Sequence, residues 1–482
     1  MKTQFIYLFI LVLIASNFSN SSPEIISTPN QVAQTSLDLE GSWAGTLKIS
    51  STQLRIVFNV SKDSLGNLKA NLDSPDQGAY GILVDEVIVN GDSIKFIVGV
   101  VKGFYAGKIY PDSLKISGIW NQGGMSLPLD LRKTEKLEIP KRPQEPKEPF
   151  PYKVENVKFV NSKAGNTLAG TLTLPDKVGS FTAVILVTGS GPQNRNEELL
   201  GHKPFLVLAD YLTRKGIAVL RYDDRGIGES TGDFTKATSE DFADDALAAV
   251  EFLKARKDIN KIGVAGHSEG GIIAPMVATQ SDDVDFIVLI AGTGIRGDSI
   301  LILQTELILR ASGTEEKLVK RDLNFFRKGY NELLTDKDDE HLKQVLTAII
   351  NEAYESLSEA EKLEVGNKEM MVESQLGMLL SPWFRYFVQY DPYPTLTKVK
   401  CPVLAINGEK DLQVSPKENL SAIEKALIKG GNKNYKIVEM PGLNHLFQKS
   451  ETGSPTEYGN IEETFSPDAM KVIADWILEV TK

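Results

Sequence analysis

Residues Gly266-His267-Ser268-Glu269-Gly270 stand between an apolar stretch (Ile262, Val264, Ala265) and a helix-compatible run from Ile272 to Ala278. A strand that turns into a helix within so few residues leaves little room for side chains two before and two after the central serine. The segment therefore predicts a strand–tight turn–helix unit. Ser268 sits on the strained turn, with its hydroxyl pushed out of the sheet.

The pattern around this unit repeats. From about Tyr152 onward, apolar strands are predicted at Ala183–Val187, Ile217–Tyr222, Ile262–Ala265, Phe286–Ile290, Val403–Ile406 and Lys436–Met440. Helical stretches such as Phe205–Lys215, Glu240–Lys257 and Glu269–Thr279 lie between them. Near-continuous apolar strands separated by amphipathic helices predict an α/β fold, a mostly parallel sheet covered on both faces. Between Gly294 and Cys401 roughly a hundred residues intervene, far too many for a loop. Their helical patterns (Ser299–Ser312, Glu315–Leu334, Leu342–Leu357) predict an inserted helical cap at about 297–395 that roofs the site.

With 482 residues, more than one domain is expected. Residues 36–135 read as short strands and turns, with Leu54–Val60 and Ser93–Ile97 alternating or β-branched and Asn90-Gly91-Asp92 a turn. About eight strands in roughly 95 residues predict a small antiparallel barrel or sandwich. Gly41-Ser42-Trp43 resembles the opening of lipocalin-like barrels, and Trp43 and Trp120 are expected to plug the core rather than line a cavity. Prolines 140, 143, 146, 149 and 151 make residues 136–152 a linker, read as a polyproline II spacer holding two domains apart. The second domain is then 153–482. At the start, Lys2 precedes the apolar run Phe5–Ala15, about eleven residues where a membrane span needs about 20. Residues 1–22 are therefore read as a removed secretory signal, with export to a periplasm or beyond and no stable membrane insertion afterwards.

A serine hydroxyl is a poor nucleophile until a base takes its proton, and the base needs a third group to orient it. Beyond the strand Val403–Ile406 comes Asn407-Gly408-Glu409-Lys410-Asp411, and beyond Lys436–Met440 comes Pro441-Gly442-Leu443-Asn444-His445. Both are loops past the carboxyl ends of strands, where sites form in open α/β sheets. Of the four histidines, His341 falls in a charged cap helix and His267 is expected to point away from Ser268, which leaves His445 as the base. Asp411 is preferred as the acid because it lies further into its loop, with Glu409 read as loop-stabilising. The oxyanion needs two preorganised backbone donors. The amide of Glu269 is one, and the loop Thr188-Gly189-Ser190-Gly191-Pro192-Gln193 offers the other, Ser190 first and Gly191 next. That loop lacks the Lys-Ser/Thr of a phosphate-binding loop and the spacing of a dinucleotide fingerprint. Gly191, His202, Trp383 and Phe384 are candidates for substrate contact, although the aromatics of Ser381–Phe387 also suit packing of cap on core.

Five ordered motifs carry a family resemblance across residues 155 to 481: Thr188–Pro192, Arg221-Tyr222-Asp223-Asp224-Arg225-Gly226-Ile227-Gly228-Glu229-Ser230, the serine turn, Gly408–Asp411 and Gly442–His445. Together they resemble the serine hydrolases of the α/β-hydrolase superfamily. Within it they are similar to the esterase branch related to bacterial acyl-esterases and to the catalytic domains of prolyl-oligopeptidase-type peptidases. The resemblance implies that fold, an acyl-enzyme on Ser268 and the order Ser268, Asp411, His445. In that superfamily the Arg221–Ser230 segment is scaffolding, its Asp and Arg tying neighbouring loops together.

The expected activity is hydrolysis of small to medium carboxylic esters, with no metal or cofactor implied. A serine peptidase or aminopeptidase is the alternative. A seven-bladed propeller, at about 40–50 residues per blade, does not fit in the N-terminal segment, which counts against the propeller-bearing peptidases. A third reading, a binding module whose hydrolase domain has lost activity, sits poorly with a complete triad. The net charge of −11 argues against a nucleic-acid partner. Lone Cys401 excludes an intrachain disulfide, and its place at the start of an apolar strand suggests packing.

Overall fold

The computed structural model describes residues 38–482 apart from 50–51, 76–78, 123–124, 136–139, 336–337 and 366. The signal-like segment and part of the linker lie outside the described residues. Nine strands come first: β1 (Gly41–Ile49), β2 (Thr52–Lys62), β3 (Leu68–Ser74), β4 (Ala79–Leu83), β5 (Glu86–Asn90), β6 (Ser93–Val98), β7 (Gly103–Tyr110), β8 (Lys115–Gln122) and β9 (Met125–Thr134). They form one antiparallel meander in which β1 pairs with both β2 and β9. The sheet rolls on itself. Phe58 of β2 and Phe96 of β6 are five strands apart in the order, yet their rings stack at 4.2 Å. At the corner between β4 and β5, Val84 N donates to Ala70 O of β3 and Asp85 N to Ile97 O of β6. One sheet rolled this way, with β4 and β5 at the ends of its order, is a half-barrel rather than a sandwich. Its interior is filled by Trp43, Phe58, Phe96, Tyr105 and Trp120, the core plugs expected of the two tryptophans.

The second sheet has eight strands in the order β10-β11-β13-β12-β14-β15-β16-β17. These are β10 (Tyr152–Asn161), β11 (Asn166–Pro175), β12 (Phe181–Val187), β13 (Ala218–Tyr222), β14 (Ile259–His267), β15 (Phe286–Ile290), β16 (Val403–Gly408) and β17 (Tyr435–Met440). Only β11 runs against its neighbours. The hairpin β10–β11 adds two strands to the expected set; its exposed edge strand alternates charged and apolar residues and lacks a continuous apolar run. Central strands β13 and β15 are buried throughout, as both-face coverage requires. Helices α1 (Pro204–Arg214), α2 (Ser239–Lys254) and α3 (Gly270–Gln280) supply part of that cover.

Between β15 and β16 the cap contributes α4 (Gly297–Ala311), α5 (Glu316–Leu333), α6 (Asp339–Glu355), α7 (Glu359–Val365), α8 (Lys368–Leu379), α9 (Pro382–Gln389) and α10 (Tyr393–Leu396). In α5, buried Val319, Leu323, Tyr330 and Leu333 fall on one helical face. His341 is exposed on α6, as its charged surroundings implied. Helices α11 (Pro416–Lys429) and α12 (Pro467–Val480) complete the chain.

The linker is not a free spacer. Arg142 and Gln144 are hydrogen-bonded to the second domain, and Lys203 Nζ lies 3.1 Å from Glu145. Proline spacing reports local extension but is silent about the side chains between the prolines, and those decide docking.

Candidate active site

The sheet brings four predicted loops to one edge. Ser190 follows β12, Ser268 follows β14, Asp411 follows β16 and His445 follows β17, all at carboxyl ends of parallel strands. Ser268 has φ +53°, a left-handed conformation that costs a non-glycine residue roughly 1–2 kcal/mol. The surroundings hold it there: Ser268 N donates to Ile290 O and Gly271 N to Ser268 O, each at 2.9 Å. A Cβ on Gly266 would lie 1.9 Å from Gly270 O, and one on Gly270 would lie 2.3 Å from Val187 O. The turn is closed by backbone contact at both glycines.

Asp411 Oδ1 accepts from the amides of Gln413 and Val414, both at 2.8 Å, and this leaves Oδ2 to accept from His445 Nδ1 at 2.7 Å. Both residues are buried. Their loops are also pinned to each other: Lys410 N donates to Leu443 O at 2.9 Å, and Gly442 N to Glu409 Oε2 at 2.8 Å. Glu409 thus has the loop-stabilising place expected of it.

His267 is buried beside His445. Its ring is 4.9 Å from that of His445; Nδ1 faces Glu197 Oε1 at 2.9 Å and Nε2 faces the His445 carbonyl at 3.0 Å. The Glu197 carboxylate oxygen and the carbonyl can only accept, so the imidazole donates from both nitrogens and is charged. Burial, the largest single influence, opposes that charge, but Glu197, the His445 carbonyl and Asp411 together outweigh it, and the His267 pKa is raised. Glu197 Oε1 also accepts from Gly189 N at 2.7 Å, so one buried carboxylate joins the loop after β12 to the serine turn. Glu197 has no signal in the sequence. It sits in a charged, irregular run at φ +52°, where periodicity has nothing to report.

Glu269 is buried, and Oε1 accepts from Ser239 Oγ at 2.6 Å and from Trp383 Nε1 at 2.8 Å. Burial holds its carboxyl above the usual range. Trp383 therefore meets the residue after Ser268 and lies at the seam of cap and core. Phe384 does not: it is buried inside the cap, 5.8 Å from the Tyr330 ring, and the expectation of substrate contact is corrected. His202 is corrected as well. It is fully buried, with Nδ1 2.9 Å from Thr464 Oγ1 and Nε2 2.9 Å from Tyr458 O, and burial followed by the nearby Arg142 charge lowers its pKa to about 4. A neutral ring fits these partners. Gly191 is half-exposed at φ +95° on the loop after β12.

The Arg221–Ser230 segment ties loops together as expected. Asp223 binds Arg195, Arg225 binds Asp245, and Asp224 accepts from Thr188 Oγ1 and Gln193 N at 2.9 Å each. Asp224 thereby steadies the loop carrying Ser190. Cys401 is half-buried, and burial pushes its thiol up to about 12.

A sheet of this order, with one antiparallel strand and a serine turn at its centre, has relatives among known proteins. The family model described as serine aminopeptidase, S33, matches residues 203–332. Esterase EstD of Thermotoga maritima is 29% identical over 319 residues, 65% of this chain and 66% of that protein. The chain is similar to serine hydrolases of the α/β-hydrolase type. The chain is also similar to an acyl transferase of Shewanella woodyi, 29% identical over 134 residues, 28% of this chain and 41% of that protein. Its match thus spans just under two thirds of the esterase and less than half of the acyl transferase. Among solved structures, the Pyrococcus furiosus esterase Pf2001 superposes loosely, with TM-score 0.41 and 14% identity over 68% of this chain and 91% of that one.

Proposed function

We propose that the chain is a serine esterase acting on small to medium carboxylic esters. The observation that carries this reading is the buried Asp411–His445 bond, placed at the same sheet edge as the strained Ser268. In this mechanism Ser268 Oγ attacks the ester carbonyl while His445 takes its proton. Asp411 keeps Nδ1–H in place and stabilises the imidazolium. His445 then protonates the leaving alcohol, and water repeats the sequence on the acyl-enzyme. The amide of Glu269, at the N-terminus of α3, is one oxyanion donor. Gly189 N–H is committed to Glu197, which supports the next amides of the loop, Ser190 first and Gly191 next, as the second donor. Ile272, Ile300, Phe387 and Val414 make the seam beside the serine turn apolar, which suits an acyl chain. The kinship with EstD supports ester substrates, and the apolar run Phe5–Ala15 supports export.

The match to the serine aminopeptidase model favours one second reading, a peptidase. A chain-length series of p-nitrophenyl esters beside a panel of aminoacyl and prolyl amides separates the two. Ser268→Ala is expected to cut ester turnover by about 10⁴-fold or more and to abolish fluorophosphonate labelling with the fold intact. Full labelling of that variant would overturn the nucleophile.

A further inference from the structure

Arg142 belongs to the linker, yet its guanidinium donates to four carbonyls of the hydrolase domain. Nε reaches Gly201 O at 3.2 Å, Nη1 reaches Ile461 O at 2.7 Å, and Nη2 reaches Leu200 O at 3.2 Å and Gly459 O at 2.8 Å. Two residues on, the Gln144 side-chain amide donates to Phe465 O at 2.6 Å and accepts from Thr464 N at 2.5 Å and Phe465 N at 3.1 Å. The linker thus grips two turns, one at 199–202 and one at 459–465. A planar group with five diverging donors can do this, and an ammonium with three cannot.

Both turns lead to the active site. His202, on the first, bonds to Thr464 Oγ1 and Tyr458 O on the second. Gln448 Nε2 donates to the same Tyr458 O at 3.4 Å, while its Oε1 accepts from Asn444 Nδ2 at 2.9 Å. Asn444 Oδ1 takes the amides of Leu446 and Gln448 at 3.0 Å each, closing the turn that carries His445. On the other branch, the buried Tyr458 hydroxyl accepts from Gln413 Nε2 at 3.1 Å. Gln413 N in turn holds Asp411 Oδ1. Two short hydrogen-bonded routes therefore run from Arg142 to the acid and the base.

We propose that Arg142 is a positioning residue for hydrolysis: by clamping the 199–202 and 459–465 turns it holds Tyr458 and His202, and through them the loops of Asp411 and His445, in catalytic register. The inference rests on the esterase reading for its kinetic consequence and on hydrogen bonds alone for its structural one. A displacement of about 1 Å in a catalytic loop costs up to about a hundredfold in rate.

The test uses the full chain with Arg142→Ala and Arg142→Lys. For Arg142→Ala, kcat on a p-nitrophenyl ester is expected to fall about ten- to a hundredfold while KM stays within about threefold. Amide exchange across 441–466 should accelerate, and guanidinium at a non-denaturing concentration should restore part of kcat. Arg142→Lys should recover less than guanidinium does. Tyr458→Phe removes only the last hydroxyl, should lower kcat in the same direction, and serves if Arg142→Ala does not fold. Unchanged kcat with faster exchange would make Arg142 a domain fastener only and overturn the inference. Unchanged exchange would overturn the clamp itself. A wild-type protein that neither turns over esters nor labels would overturn the esterase reading instead, and the exchange result would then decide the clamp alone.

Discussion

Trp383 Nε1 donates to Glu269 Oε1 at 2.8 Å, joining the last long helix of the cap to the residue that follows Ser268. The bond crosses the seam of cap and core, so the cap is latched on the side chain whose own backbone amide is the proposed oxyanion donor. Trp383→Phe keeps the stack on Phe387 (5.3 Å) and removes only the donor. A hydrogen bond to a charged partner contributes about 1.5–3 kcal/mol. Loosening the cap is expected to raise KM about three- to tenfold with kcat changed less. Steady-state kinetics with limited proteolysis of the cap check this; unchanged KM and unchanged cleavage would mean the bond holds nothing.

Asp411→Asn should lower kcat by about 10⁴-fold without unfolding the protein. The amide oxygen can still accept from Gln413 N and Val414 N, but the amide nitrogen then faces His445 Nδ1 and imposes the wrong tautomer. Glu409→Gln, at a side chain that accepts from the Gly442 amide, should leave kcat within about threefold. The paired kinetics decide between the two carboxylates, and a larger loss in Glu409→Gln would reverse the assignment.

Gly266→Ala should be among the most damaging small substitutions in the chain. The added methyl meets the Gly270 carbonyl at 1.9 Å, and neither backbone segment can yield without opening the serine turn. A loss of about 3 kcal/mol or more is expected, read by chemical denaturation. A variant as stable as wild type would show that the turn has another conformation.

Two buried histidines should shape stability against pH with opposite signs. The folded pKa of His202, lowered to about 4, lies below its ordinary 6.5, so the unfolded chain takes up the proton first. Its contribution is complete above about 6.5 and is lost as pH falls toward 4. The folded pKa of His267 is raised, so its contribution is complete below the unfolded value and fades as pH rises through the folded one. Relative to wild type, His202→Gln should flatten the acid limb of the Tm–pH curve and His267→Gln the alkaline limb. The raised carboxyls of Glu269 and Asp224 are common to all three proteins and cancel. Effects on the opposite limbs would refute both assignments.

Much of this site is legible in the order of the amino acids. Strand Phe286–Ile290 matches its predicted bounds, and the loops holding Ser268, Asp411 and His445 fall beyond the strands expected to carry them. The two aromatic neighbours in α9 show the limit. Trp383 and Phe384 are adjacent aromatics with the same local pattern around them, yet one reaches Glu269 and the other packs into the cap. Helix rotation against a partner decides which, and no periodicity in α9 encodes the partner.

The same division holds for the whole chain. Steric demand at Gly266 and Gly270, apolar periodicity and the chain order of serine, acid and base are local properties, so they are written in consecutive residues and determine the class of fold and the candidate triad. The roles of Glu197, His202, Tyr458 and Arg142 depend on groups far away in the chain, as with Arg142 and Gly459, 317 residues apart. Such partners meet only when the sheet and linker have closed around them. Burial then makes His202 a neutral strut while Glu197 makes His267 a charged one, a distinction that two histidines in one sequence do not carry.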